Sequence, residues 1–245
     1  MASPANQRQK IKTVRDPIAD AHINGEYLKK NPTWHVEYSA RKAQTIHSFL
    51  ESRQIRPKTI GDVGCGAGEV LALLQKNMDP TCRFWGYDVA APAIEMSKSR
   101  ENEQLKFSLA DFGEIETPYF DLLLVLEVID HVEDYIGFAR ALKHRAEWKY
   151  FSFSLDISVQ SAFRSDAFTQ RRRNHSHLHH FNTQTALGTL EYAGYEIVSY
   201  FYMPPNVTIS WAAKLALPIR RSFFGMNPEL AVRMFGGYSL QVLAR

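Results

Sequence analysis

Apolar and polar residues fall along the chain in two alternating rhythms. Short runs rich in β-branched, aromatic and aliphatic residues predict strands at 59–63, 83–88, 105–109, 120–126 and 150–155. Between them, apolar residues three and four apart predict helices. Ala43, Ile46, Phe49 and Leu50 mark one from Ser39 to near Arg53, and Val70, Leu71, Leu73 and Leu74 mark the next. Further helices are predicted at 91–99, 134–145 and 183–192. The run Phe120-Asp121-Leu122-Leu123-Leu124-Val125-Leu126 is almost continuously apolar, as a central strand covered on both faces should be. Strand and helix alternate five times, which argues for a parallel α/β sheet.

Two segments depart from that rhythm. Residues 156–182 and 204–236 are long, irregular insertions, of a length that compact domains reserve for function or leave unstructured. They interrupt a domain at 39–245, which an arm at 1–38 precedes. Residues 1–20 are polar and expected to fray, and Pro32 opposes a continuous helix in the rest of the arm. Strand-like patterns at 196–202 and 238–244 flank the second insertion.

Composition narrows this picture modestly. The chain has 245 residues, 45% of them hydrophobic, enough to bury the core of one domain with insertions. A net charge of +3 gives no reason to expect nucleic acid. Two cysteines, Cys65 and Cys82, do not make a disulfide framework and point to a reducing compartment. Residues 1–20 lack an apolar signal-peptide core, and no run approaches the ~18 apolar residues of a membrane span. The expectation is a cytoplasmic protein.

The candidate chemistry begins at Asp62-Val63-Gly64-Cys65-Gly66-Ala67-Gly68, where the first strand breaks into a glycine turn and re-enters helix. Glycines there permit positive φ and close approach of a ligand, and N–H groups at the helix start suit a carboxylate, phosphate or ribose. A dinucleotide fingerprint would place its third glycine at 69, which is Glu69. Asp88 ends the second strand, 24 residues beyond Gly64, where a carboxylate can take both ribose hydroxyls.

Taken with Gly86-Tyr87-Asp88, Ala110-Asp111-Phe112 and Phe120-Asp121 through Glu127, the glycine turn resembles that of the class I S-adenosylmethionine-dependent methyltransferases, over roughly residues 40–155. The resemblance implies a Rossmann-like, seven-stranded, mostly parallel sheet with an antiparallel last strand. It also implies S-adenosylmethionine as cofactor. Gly64, Gly66 and Gly68 would hold the methionine part with Asp62 organising it. Asp88 would bind the ribose, Asp111 and Phe112 would bracket the adenine, and Glu127 would lie near cofactor or substrate.

For the acceptor, an Asn/Asp-Pro-Pro-Tyr/Phe turn of amino-group methylases is absent after the fourth strand, and neither cysteine suits pyrimidine C5 chemistry. Glu127, Asp130 and His131 stand at i, i+3 and i+4, on one face if helical, in a segment similar to that of ubiquinone-type O-methyltransferases. His131 backed by Asp130 is a candidate general base, with His179 of the cluster His175–His180 as a further catalytic candidate. The alternative is a divalent metal on Glu127, Asp130, His131 and His179, as resemblance to small-RNA 2′-O-methyltransferases would imply. Arg171–Arg173 belong to that RNA reading.

The expected activity is methyl transfer to oxygen or nitrogen of a small-molecule metabolite, resembling bacterial stand-alone methyltransferases. RNA 2′-O-methylation and non-catalytic cofactor binding are the rivals. Tyr27, Trp34 and His35 are candidates for a lid. The 204–236 insertion is expected to complete the acceptor pocket or to contact a second copy or a membrane surface through its basic amphipathic face.

Overall fold

The computed structural model describes residues 25–205 and 211–245; the fraying expected of 1–20 lies outside them. Seven strands form one sheet in the order β3-β2-β1-β4-β5-β7-β6. They are β1 (Thr59–Val63), β2 (Arg83–Asp88), β3 (Leu105–Leu109), β4 (Phe120–Leu126), β5 (Ala146–Leu155), β6 (Ile197–Met203) and β7 (Tyr238–Ala244). The first five pair in parallel, and β7 runs antiparallel between β5 and β6. This is the Rossmann-like sheet expected from the motifs.

Helices cover both faces, so the sheet has two cores. On one side Ala43, Ile46 and Leu50 of α2 (Ser39–Ser52) and Leu71 and Leu74 of α3 (Glu69–Asn77) pack on Ile60, Leu122 and Leu124. On the other, Ala139 and Leu142 of α5 (Tyr135–Leu142) and Ala186 and Leu190 of α8 (Thr183–Tyr192) pack on Phe120, Leu123 and Val125. From Leu122 to Val125 successive β4 side chains serve opposite cores, which is why its sequence is apolar without alternation. Emptying one of these positions, as in Leu124→Ala, would cost about 2–5 kcal/mol.

The remaining helices are α1 (Glu26–Lys30) in the arm, α4 (Ala91–Ser97), α6 (Val159–Ala162), α7 (Ala167–His175), α9 (Trp211–Met226) and α10 (Pro228–Phe235). The two irregular insertions thus contain helix. In α7 the sequence Ala-Phe-Thr-Gln-Arg-Arg-Arg-Asn-His has no apolar stripe, so periodicity gives no sign of it. A Ser158–Ser161 capping box starts α6, and the Asn227 side chain accepts from Leu230 N–H at the start of α10. In the late insertion Ile219, Phe223, Met226 and Leu230 are exposed on α9 and α10.

Candidate active site

The carboxyl ends of β1, β2, β4 and β5 open onto a cavity of about 710 Å³, closed on its far side by the arm. Ligand sites in open α/β sheets form at such strand ends, and the volume is that of a small-molecule site, roughly 300–1,000 Å³.

One wall is the glycine turn. Gly64 and Gly66 have φ of 71° and 55°, in the left-handed region, and a Cβ on Gly66 would stand 2.6 Å from Trp34 Cδ1. The turn holds itself together with its own amides. Gly64 and Cys65 N–H both donate to the Tyr87 carbonyl, Gly66 N–H to Asp88 Oδ2 at 2.8 Å, and Gly68 N–H to the Cys65 carbonyl. The amides at 64, 65, 66 and 68 are therefore engaged within the protein, and the expectation of N–H groups open to a ligand rests on the helix start at residues 69–71. What the turn offers is bare glycine surface and flanking acids.

Asp88 also accepts from Ala90 N–H at 2.8 Å, so its carboxylate is oriented at the cavity edge. Asp62 is nearly inaccessible, and its Oδ1 has no hydrogen-bond partner among the described residues. Burial pushes its pKa up to about 8, Lys42 opposing and Asp88 adding to the rise. An orphaned buried oxygen costs ~1–3 kcal/mol. An ammonium or hydroxyl from a ligand would relieve that cost, so the residues present fit a zwitterionic, ribose-bearing group. Asp111 lines the cavity with Oδ1 accepting from Gly113 N–H, and Phe112 lines it from within the core, edge-on to Tyr87. Val89, 43% exposed despite being aliphatic, adds an apolar surface beside Asp88 that sequence reasoning missed.

The arm is the roof. Tyr27 and Trp34 meet edge-to-face at 5.1 Å, and Tyr27 Oη lies 3.0 Å from His35 Nε2. Trp34 and His35 both hold positive φ, 49° and 59°. Glu127, at the exit of β4, does so too at 58°. Non-glycine residues in this region cost of order 1–3 kcal/mol each, and three of them line this one cavity.

The opposite wall departs from the sequence reading. After Glu127 the chain makes a single 3₁₀ turn, Ile129–His131, so the i, i+3, i+4 triad shares no helical face. Glu127 pairs with Lys42 Nζ at 2.7 Å; burial raises its pKa, but the lysine outweighs this and holds the carboxylate below its ordinary value. Asp130 is fully buried outside the cavity lining, with neither carboxyl oxygen hydrogen-bonded among the described residues. Burial, then the charges of Asp156 and Glu127, push its pKa well up. It does not orient His131. That role falls to the Ser176 carbonyl, 3.0 Å from His131 Nδ1, which accepts from that nitrogen and sets the orientation of the ring.

His179 is likewise corrected: its Nε2 lies 3.0 Å from the Val132 carbonyl and its ring against Tyr135, outside the cavity lining. The four residues Glu127, Asp130, His131 and His179 therefore make no common metal set. The wall is built instead by His131, His175, His177 and Asp156. His177 and His131 rings meet at 5.1 Å. Burial, with Arg171 and His177 nearby, holds His175 down to about 4, so it is neutral at pH 7. Asp156, missed in the sequence, stands just past the end of β5 as Asp88 and Glu127 stand at or past the ends of β2 and β4, and that repetition is the signal that could have found it. Lys42, on the cavity side of α2, carried no comparable signal.

A family model described as a methyltransferase domain matches residues 34–200. No curated protein matches the sequence significantly. Among solved structures, the chain is similar to one in the complex between the Haloferax volcanii Trm112 methyltransferase activator and a methyltransferase, at 12% identity over 92% of this chain and 96% of that one, TM-score 0.62. It is also similar to the magnesium protoporphyrin IX methyltransferase ChlM from Synechocystis PCC 6803 with bound SAH, at 12% identity over 84% and 81%, TM-score 0.56. A third is the plantazolicin methyltransferase BpumL in complex with a monoazolic desmethylPZN analog and SAH, at 16% identity over 93% of each chain, TM-score 0.56. At these identities the likeness is one of fold.

Proposed function

From the premise that this chain belongs to the methyltransferase-domain family and is a class I S-adenosylmethionine-dependent methyltransferase, we propose that it methylates an oxygen or nitrogen of a small-molecule metabolite. The observation that carries this reading is the shape of the site: one roofed cavity runs from the glycine turn to the histidine wall, so cofactor and a modest acceptor fit side by side. An RNA strand would want an open basic groove, whereas Arg171 is turned onto Asp156.

S-adenosylmethionine supplies an already activated methyl group on a sulfonium. The protein's part is alignment, exclusion of water and care of the acceptor proton. Gly64, Gly66 and Gly68 would hold the methionine portion, with Asp62 receiving its ammonium. Asp88 would take the ribose hydroxyls, and Asp111, Phe112 and Val89 would bound the adenine. Trp34 and Tyr27 keep water out from above. His131, oriented through Nδ1, would remove the acceptor's proton with Nε2.

A screen of hydroxyl- and amine-bearing metabolites for S-adenosylhomocysteine release tests this reading. Release should depend on the acceptor and on His131. Cofactor binding by calorimetry with no release across the library would overturn it in favour of a binding protein.

A further inference from the structure

The coil between α7 and α8 sorts its histidines in a way that methyl transfer does not require. His177 Nδ1 and His180 Nδ1 converge on the same atom, Asp156 Oδ2, at 2.6 and 3.0 Å. The three ligand atoms lie within 4.8 Å of one another. We propose that Asp156, His177 and His180 form a binding site for a first-row divalent transition metal of the Zn²⁺ type, at the floor of the acceptor side of the cavity. Two imidazoles and one carboxylate suit such an ion far better than Mg²⁺ or Ca²⁺, and three protein ligands leave positions open.

The arrangement is built rather than incidental. Asp156 is held at the end of β5, and the histidine coil is fastened on both sides of it. Ile157 N–H donates to the Phe181 carbonyl, while Leu178 and His179 N–H both donate to the Asp130 carbonyl. Ser176 takes a left-handed φ of 60°, which turns His177 inward. The intervening His179 is turned away onto the Val132 and Glu133 carbonyls. Arg171 Nε stands 3.3 Å from the other oxygen, Asp156 Oδ1, the place of an outer-shell partner that steers a ligating carboxylate. Asp156 also borders a second cavity of about 300 Å³, shared with Arg171 and His175, so an ion there would face space on two sides. On metal binding each ring would carry its proton on Nε2 instead of Nδ1, which gives His177 a donor there.

The site is tested without any acceptor, using tag-free full-length protein stripped with chelator and titrated with Co²⁺ followed by Zn²⁺. One equivalent of Co²⁺ should bind, with visible absorption of a four- or five-coordinate ion that Zn²⁺ displaces. His180→Ala and His177→Ala should abolish that absorption, Arg171→Gln should weaken affinity about 10- to 100-fold, and His179→Ala should change nothing. Circular-dichroism melting checks folding. If His177→Ala does not fold, His180→Ala, at the more exposed ring, decides. Absence of saturable binding, or binding indifferent to His180, would overturn the metal and leave a hydrogen-bonded Asp–His cluster. Calorimetry with S-adenosylmethionine on the same samples separates that result from a failure of the methyltransferase reading.

Discussion

The two walls of the cavity are made differently. The wall proposed for the cofactor is largely backbone: a glycine turn whose amides at 64, 65, 66 and 68 are engaged by Tyr87, Asp88 and Cys65, so that its glycines offer a ligand mainly shape. The acceptor wall is side chain, with Lys42 on Glu127 and Asp156 ringed by His177, His180 and Arg171. Shape can be supplied by one short stretch. Matched charge has to be gathered from segments more than eighty residues apart, as Lys42 and Glu127 are. Mutations should therefore act on binding at the first wall and on chemistry or stability at the second.

Gly66→Val should have the largest effect. Its Cβ would strike Trp34 and its φ of 55° disfavours a β-branched residue, so S-adenosylmethionine binding should vanish in calorimetry while the far-ultraviolet spectrum persists. Retained affinity would break the idea of a wall that works by shape. Next, His131→Gln should lower turnover about 10²- to 10⁴-fold with cofactor affinity unchanged, once an acceptor is known. A parallel loss of affinity would merge the two walls. Asp156→Asn should cost about 2–3 kcal/mol in denaturant unfolding, because Arg171 and two imidazoles lose their shared anion, with little change in cofactor binding. Trp34→Ala should weaken the cofactor by about tenfold, or ~1.4 kcal/mol, and should make Gly66→Ala less harmful than it is beneath the indole, a coupling measured by a double-mutant cycle.

A further test is one of pH. Asp62 has its pKa raised to about 8 in the fold, so the native state binds a proton that the unfolded chain releases near pH 4. Its contribution to stability is then greatest at acid pH and declines from about pH 4 to pH 8, with a slope of at most about 1.4 kcal/mol per pH unit. Asp62→Asn should flatten that decline in unfolding curves taken between pH 5 and 8. An unchanged slope would mean that the acid is ionised in the free protein.

What the sequence discloses follows the same division. The strands at 59–63, 83–88, 105–109, 120–126 and 238–244 stand where the apolar runs place them, because each run carries the buried positions of its strand, even in β3, where only Leu105 and Phe107 are buried. β5 begins four residues before its apolar run, at Ala146. There Lys149 is hidden by donating to the Ala146 carbonyl, and pairing with β4 and β7 sets the length. The glycine turn and Asp88 are legible as neighbours on one side of the cavity because strand, turn and acid succeed one another. The histidine wall departs from the sequence reading at Asp130, because a left-handed Glu127 followed by one 3₁₀ turn breaks the shared face of 127, 130 and 131, and at His179, whose ring is turned onto the Val132 and Glu133 carbonyls. Asp156 and His177 meet only through the path of β5 and the coil after α7, which no periodicity encodes.

The contact between Trp34 and Gly66 carries a consequence for descent. An indole over a position with no room for a Cβ ties the identity of residue 34 to that of residue 66. Among homologues the two should drift as a pair: where the tryptophan is replaced by a small residue, alanine or asparagine becomes admissible in the turn, and where it stays, glycine should stay with it. The arm, outwardly the more dispensable of the two, would then constrain which turns its lineage can explore.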